Sequence, residues 1–167
     1  MKISTLQQIL RDGIRGLKMT YFASRRDRYG YIDKTAKIYQ PGMGAKQNVY
    51  LYKNTVIHEF HKFITQQGKF IMKENSIAAA GLTVITANHG IYNIGDYPGG
   101  QGWSDLYSAD VIVEEDVWLG ANVTLCPGTH VNRGAVVAAG SICIKSKEKF
   151  KYLLEFKPIQ IGKYRGR

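Results

Sequence analysis

Between Val113 and Lys145 an apolar residue returns every six positions, at Val113, Leu119, Leu125, Val131, Val137 and Cys143. Four residues after each of the first five stands a small or β-branched side chain: Val117, Val123, Thr129, Ala135 and Ser141. No helical period fits these positions. A strict short period marks a solenoid, in which each unit stacks on its neighbours and buries a continuous core. Six residues per face and three faces per coil make a triangular prism of parallel strands. The leading aliphatic points inward, and the small residue fits beside a tight corner.

The pattern is weaker upstream. Ile32, Ile38, Tyr50 and Val56 fall on one six-residue register that opens at Tyr31, with Gly44 in the remaining slot. After Val56 the register breaks, so HEFHKFITQQGKF (58–70) is expected to contain a loop or an irregular coil. Met72, Ala78 and Val84 resume the spacing, and the coil ends at His89. Residues 90–110, GIYNIGDYPGGQGWSDLYSAD, carry no period; a loop of this length inside a compact repeat is commonly functional. Ahead of the prism, Ile3 to Phe22 predicts a helix capped by Ser4, with Leu6, Ile9, Leu10, Ile14 and Leu17 as its apolar stripe. Its other face carries Arg11, Arg15 and Lys18. We expect this helix to cover the open end of the prism; the alternative is a basic amphipathic helix resting on an anionic membrane. The chain thus divides into a helical segment (1–30), a β-helix (31–146) and a basic tail (147–167), in which Tyr152, Leu153, Leu154 and Phe156 are available for docking.

Composition narrows the partners. A chain of 167 residues is a single domain with room for a sizeable core. Its 18 glycines suit many tight turns, and its net charge of +10 calls for anionic partners. Nucleic acid is disfavoured among these, because the basic residues gather at the two termini without an aromatic-interleaved basic motif. Of the two cysteines, Cys143 takes an inward position and Cys126 follows inward Leu125, which fits a reducing compartment rather than a disulfide frame. No signal peptide is visible in the first thirty residues, and no apolar run approaches the ~18 residues of a membrane span. The expected location is cytoplasmic, at the inner face of the membrane if the helix rests there.

The hexads, TANHG at Thr86 to Gly90, the long loop, VIVEEDVWLGANVTLCPG and VVAAGSI together resemble the hexapeptide-repeat acyltransferases. The nearest branch is the maltose and galactoside O-acetyltransferases with the related polysaccharide-modifying acetyltransferases. The likeness covers 70–146 well and 31–69 loosely. It implies a mainly β fold, a left-handed parallel β-helix, against the usual right-handed crossover. It also implies a homotrimer with active sites between subunits, acetyl-CoA as donor and a sugar or glycan hydroxyl as acceptor. An N-acetyltransferase of a nucleotide-linked amino sugar and a non-catalytic β-helix scaffold are the alternatives.

A hydroxyl is a poor nucleophile at neutral pH, and histidine is the side chain whose ordinary pKa suits removal of its proton. By resemblance that base is His89. Asn88 is a candidate donor to the tetrahedral oxyanion, and Glu59 a candidate carboxylate to orient His89 from the neighbouring subunit. His58, His61 and Glu59 form a polar cluster in HEFHKF, but His89 has no histidine partner at position 84 or 94, so no catalytic metal is expected. Gly120 and Ala121 lie eighteen residues before Ala138 and Ala139, one full coil, so the two pairs stack along one edge. An edge without side chains is what a linear pantetheine arm needs, and the family places CoA contacts there. Trp118 matches the aromatic that the family sets beside acceptor and thioester. Ile144 and Lys145 match positions at the nucleotide end, Lys145 and Lys147 as phosphate partners. The family often has Thr at the position of Ile144, and its closing Asn-Pro-Ala is replaced here by Phe156-Lys157-Pro158-Ile159.

Overall fold

The computed structural model describes residues 5–7, 9–14, 25–90, 95, 97–102 and 108–144. From Tyr31 onward the chain winds through five coils, each contributing one strand to each of three faces. The first coil holds β1 (Tyr31–Ile32), β2 (Lys37–Ile38) and β3 (Gly42–Gly44). The second holds β4 (Val49–Leu51), β5 (Val56–Ile57) and β6 (His61–Ile64), and the third β7 (Phe70–Met72), β8 (Ile77–Ala78) and β9 (Thr83–Ile85). The fourth holds β10 (Val111–Val113), β11 (Trp118–Leu119) and β12 (Thr124–Leu125). The fifth holds β13 (His130–Val131), β14 (Val136–Val137) and β15 (Ile142–Cys143). Every ladder is parallel: β1-β4-β7-β10-β13 on the first face, β2-β5-β8-β11-β14 on the second and β3-β6-β9-β12-β15 on the third.

The hexads set the spacing of the last two coils. Trp118 pairs with Val136 and Thr124 with Ile142, eighteen residues on. Leu119 and Leu125 are fully buried, and Val113 with them. Upstream the reading needs correction by one residue. Leu51 and Ile57 pair with Ile32 and Ile38 and point inward; Tyr50 and Val56 face outward. The first coil advances nineteen residues per turn and the second twenty-one, so a strict six-residue count slips there. After Val56 the coil is irregular, as expected, but it stays in the ladder. HEFHKFI turns an edge and runs on as β6, with Phe63 buried. The extra residues sit in the turn 65–69, whose Gly68 has φ +78°.

The polar cluster expected in HEFHKF is split by strand alternation. His58 and Glu59 sit outward at the edge, with Nδ1 to Oε2 at 3.6 Å. His61 lies inside the prism, fully buried, its ring 4.8 Å from that of Phe63. A Cβ on Gly42, its neighbour in the ladder, would stand 2.0 Å from the imidazole. Glycine at this inward position is the room that the ring occupies. His61 Nδ1 lies 3.2 Å from the His58 carbonyl oxygen, and Nε2 is buried without a partner.

The described part of the helix does not cap the prism as expected; Leu17 and the rest of 15–24 lie outside the described residues. Residues 5–7 and 9–14 are helical, but all are exposed, Leu6, Ile9, Leu10 and Ile14 among them, and none joins the core. A short 3-10 turn, Arg26–Arg28, closes the end instead, followed by Tyr29, which is buried over the first coil. Arg26 ties this turn to the prism by donating to the Ala36 and Asp33 carbonyls. Lys46 lies over the Tyr29 ring at 5.2 Å, and burial pushes the phenol up to about 12. Among the described residues no helix is long and apolar enough to cross a membrane.

Burial lowers the pKa of His61 below the ordinary histidine value. The unfolded chain therefore takes up a proton below about pH 6.5 that the folded chain resists. Stability is full above that pH and falls as pH drops toward the folded pKa. The unfolding free energy from urea titration should decline from pH 7 to pH 5, by at most about 1.4 kcal/mol per pH unit from this group. His61→Leu should flatten that part of the profile.

Candidate active site

His89 stands where the third coil leaves the third face. Three residues earlier, buried Thr86 anchors the turn: its amide donates to the Ile64 carbonyl at 3.0 Å and its hydroxyl to the Gln67 carbonyl. Ala87 is buried, while Asn88 and His89 are exposed. The 90–110 segment begins and ends on this edge. The Gly90 amide donates to Gly102 at 3.0 Å, which closes the base of the loop. On its return, Ser108 donates to Gln67 Oε1 at 2.9 Å and the Ala109 amide to the Thr86 carbonyl at 3.0 Å. The Lys69 amide donates to Asp110 Oδ1 at 2.7 Å. Gly68 makes this closure fit, since a Cβ there would lie 2.9 Å from the Ala109 carbonyl. The loop can therefore leave and re-enter without displacing β10 from β7.

The edge between the second and third faces is of another kind. Gly120 and Ala121 lie under Ala138 and Ala139, as the eighteen-residue spacing predicted. The Gly120 amide donates to Val137 at 2.8 Å and the Gly140 amide to Ala121 at 2.7 Å. A Cβ on Gly120 would meet the Ala139 nitrogen at 2.5 Å. The third coil extends the same flat edge through Ala79, Ala80 and Gly81, tied on by Ala79 to Leu119 and Asn122 to Ala80, both at 2.9 Å. We had not assigned these residues. AAAG at 78–81 does echo LGAN and VAAG, but the loop sets it forty-one residues from its partner instead of eighteen, which hides the register. Three coils at the usual strand spacing make the flat strip roughly 10–15 Å long.

At the second coil the strip ends in bulk. The Gly81 amide donates to the Glu59 carbonyl at 2.9 Å, so Glu59 is next in the column. Phe60 is 63% exposed and held at φ +62°, where the later coils place Gly81, Asn122 and Gly140. Tyr39 stacks on His58 with ring centroids 5.1 Å apart. Trp118, half exposed, lies on the second face beside the strip, between Ile77 and Val136.

Within one chain the expected site residues form two groups. Glu59, Trp118, Gly120, Ala121, Ala138 and Ala139 share the second-to-third edge or its flank. Asn88 and His89 occupy the third-to-first edge, on the order of 15 Å away across a strand. Ile144 follows β15 at that same far edge, one coil beyond Cys126, and is exposed. Lys145, Lys147 and the tail at 156–159 lie outside the described residues. Both cysteines are free, and burial raises their thiol pKa values, so neither is a ready nucleophile.

No protein-family model matches the chain. Three proteins of known or assigned character resemble it. A probable macrolide acetyltransferase of Lysinibacillus sphaericus is 33% identical over 107 residues, which is 56% of this chain and 58% of that protein. The galactoside O-acetyltransferase of Lactococcus lactis is 44% identical over 39 residues, 23% of this chain and 19% of that one. Among solved structures, a maltose O-acetyltransferase from Clostridium difficile superposes with a TM-score of 0.64 at 22% identity, over 72% of this chain and 62% of that one, a likeness of fold. The chain spans about half the length of the first two relatives it matches.

The stacked edge can be tested by itself. Gly120→Ala should destabilise the fold by about 1–3 kcal/mol, because the backbone above must shift to admit the methyl. Ala121→Ser, at the neighbouring position, should cost well under that in the same urea titration.

Proposed function

We propose that this chain, a hexapeptide-repeat β-helix related to the macrolide and galactoside acetyltransferases, is an acetyl-CoA-dependent O-acetyltransferase of a sugar or glycan hydroxyl. The observation that carries the reading is the flat strip of Gly120, Ala121, Ala138 and Ala139, extended by Ala79 to Gly81. A pantetheine arm lying along it would meet backbone and methyl groups and, beside Gly81, the Asn122 amide. At its far end the Glu59 carboxylate repels phosphate, so the nucleotide belongs at the fifth-coil end; Lys145 and Lys147 are its phosphate partners by resemblance alone. The thioester then lies toward Trp118 and the second-coil wall.

His89 of the same chain does not reach that strip. Copies arranged head to tail in a ring would bring the His89 edge of one against the strip of the next, and a heterologous contact that closes after three copies is a homotrimer. His89 then takes the proton of the acceptor hydroxyl as its oxygen attacks the thioester carbonyl. The oxyanion is held by backbone amides of the edge and by Asn88. Collapse expels the CoA thiolate, which recovers the proton from His89. Glu59 of the adjoining copy, one coil nearer the N-terminal end than His89, would orient the imidazole. Because Cys126 and Cys143 stay protonated, transfer is direct, without an acyl-cysteine.

Isothermal titration with acetyl-CoA should show binding by the native chain and its loss in Ala139→Trp. His89→Ala should bind the donor within about twofold of the native protein yet lower kcat by about 10²–10⁴-fold. A native chain that does not bind acetyl-CoA would make the β-helix a scaffold.

A further inference from the structure

Among the described residues, nothing packs on the apolar face of the N-terminal helix. Leu6, Ile9, Leu10 and Ile14 follow one another at helical spacing and are between 47% and 66% exposed, while the prism is closed by Tyr29 instead. Arg11 lies off this stripe and is exposed. A second observation comes from the first coil and its lead-in, where Arg25, Arg26, Arg28, Lys34 and Lys37 are exposed. Residues 1–37 hold nine Lys and Arg against three Asp, so six of the ten net positive charges fall in this stretch.

We propose that this N-terminal end docks on an anionic phospholipid surface, the stripe entering the acyl boundary and the basic residues meeting headgroup phosphates. The charge selects the occupant. A second copy of the segment would bring like charges together, and a nucleic acid would leave the stripe in water. Tyr31 and Tyr52, exposed on the first two coils with ring centroids 5.2 Å apart, suit the headgroup layer, where aromatic rings with a polar tip collect. This docking is independent of the acetyl-transfer reading, because none of these residues belongs to the strip or to the His89 edge.

Flotation of the full chain with phosphatidylcholine vesicles, with and without phosphatidylglycerol, tests it. The native protein should float only with the anionic vesicles, and raised salt should weaken the binding. Leu6→Gln with Leu10→Gln, both on exposed positions, should reduce partitioning by about tenfold or more while the circular dichroism is unchanged. Arg25→Gln with Arg28→Gln should reduce it by several-fold. No binding, equal binding to both vesicles, or anionic binding that survives the leucine pair would overturn the proposal. So would a loss of oligomeric mass in the leucine variant, since a second copy would then be what covers the stripe.

Discussion

Each coil of this protein depends on its neighbours for its backbone hydrogen bonds. The strands are two to four residues long, too short to stand alone, and each is satisfied only by the strand above and the strand below. The demand is continuous around the turn. At the edges, too, amides reach across coils, as Asp116 does to Glu74 and Gly134 to Glu115, at 3.0 Å each. Side chains repeat the pattern: Asn54 donates to Asn75 at 3.1 Å, and Asn75 to Asp116 at 3.3 Å, from successive left-handed corners. Register is therefore kept locally, coil by coil, and what a corner needs is a residue that tolerates the left-handed backbone.

That constraint explains where the chain can carry function. Inside the prism every position is committed to filling a lumen, even the awkward one where His61 lies against Gly42. A coil can be lengthened only at an edge, and only if both ends of the insertion return to the same rung. The 90–110 segment meets that condition through Thr86, Gln67 and Lys69, so β10 sits on β7 as though nothing intervened. The result is a histidine on a rigid edge at the base of the inserted 90–110 segment. The opposite edge is rigid for the same reason, and a larger residue is costly at two of its corners: a Cβ on Gly120 would meet the Ala139 backbone, and Gly81, at φ +84°, sits in the left-handed region that favours glycine.

The two edges divide the labour between them. The strip offers length, flatness and no charge until Glu59 and the ring of Phe60 stop it. The other edge carries His89 and Asn88, which on the proposed function serve as base and amide donor. On our reading neither is a site by itself, and the reaction belongs to the contact between copies. Phe60 marks the boundary: its positive φ costs on the order of 1 kcal/mol or more relative to the Gly and Asn of the later corners, yet it turns a large ring outward at the end of the strip.

What the sequence determined by itself was whatever follows from period. The six-residue return of Val113, Leu119 and Leu125 dictates three faces and parallel strands, and the eighteen-residue return dictates that Gly120 lies under Ala138 and Ala139. These are properties of a chain folding against its own next coil, so they can be counted off. Tertiary structure alone decided the rest. Corners of unequal length put Leu51 and Ile57 inside in place of Tyr50 and Val56, and joined Ala79 to Gly81 to the strip across a loop that breaks the count. It also decided that Tyr29 is buried at the end of the prism while the described apolar stripe, Leu6 to Ile14, stays exposed. An apolar stripe states that something must cover it; only the packing of the other residues shows whether the chain does so itself.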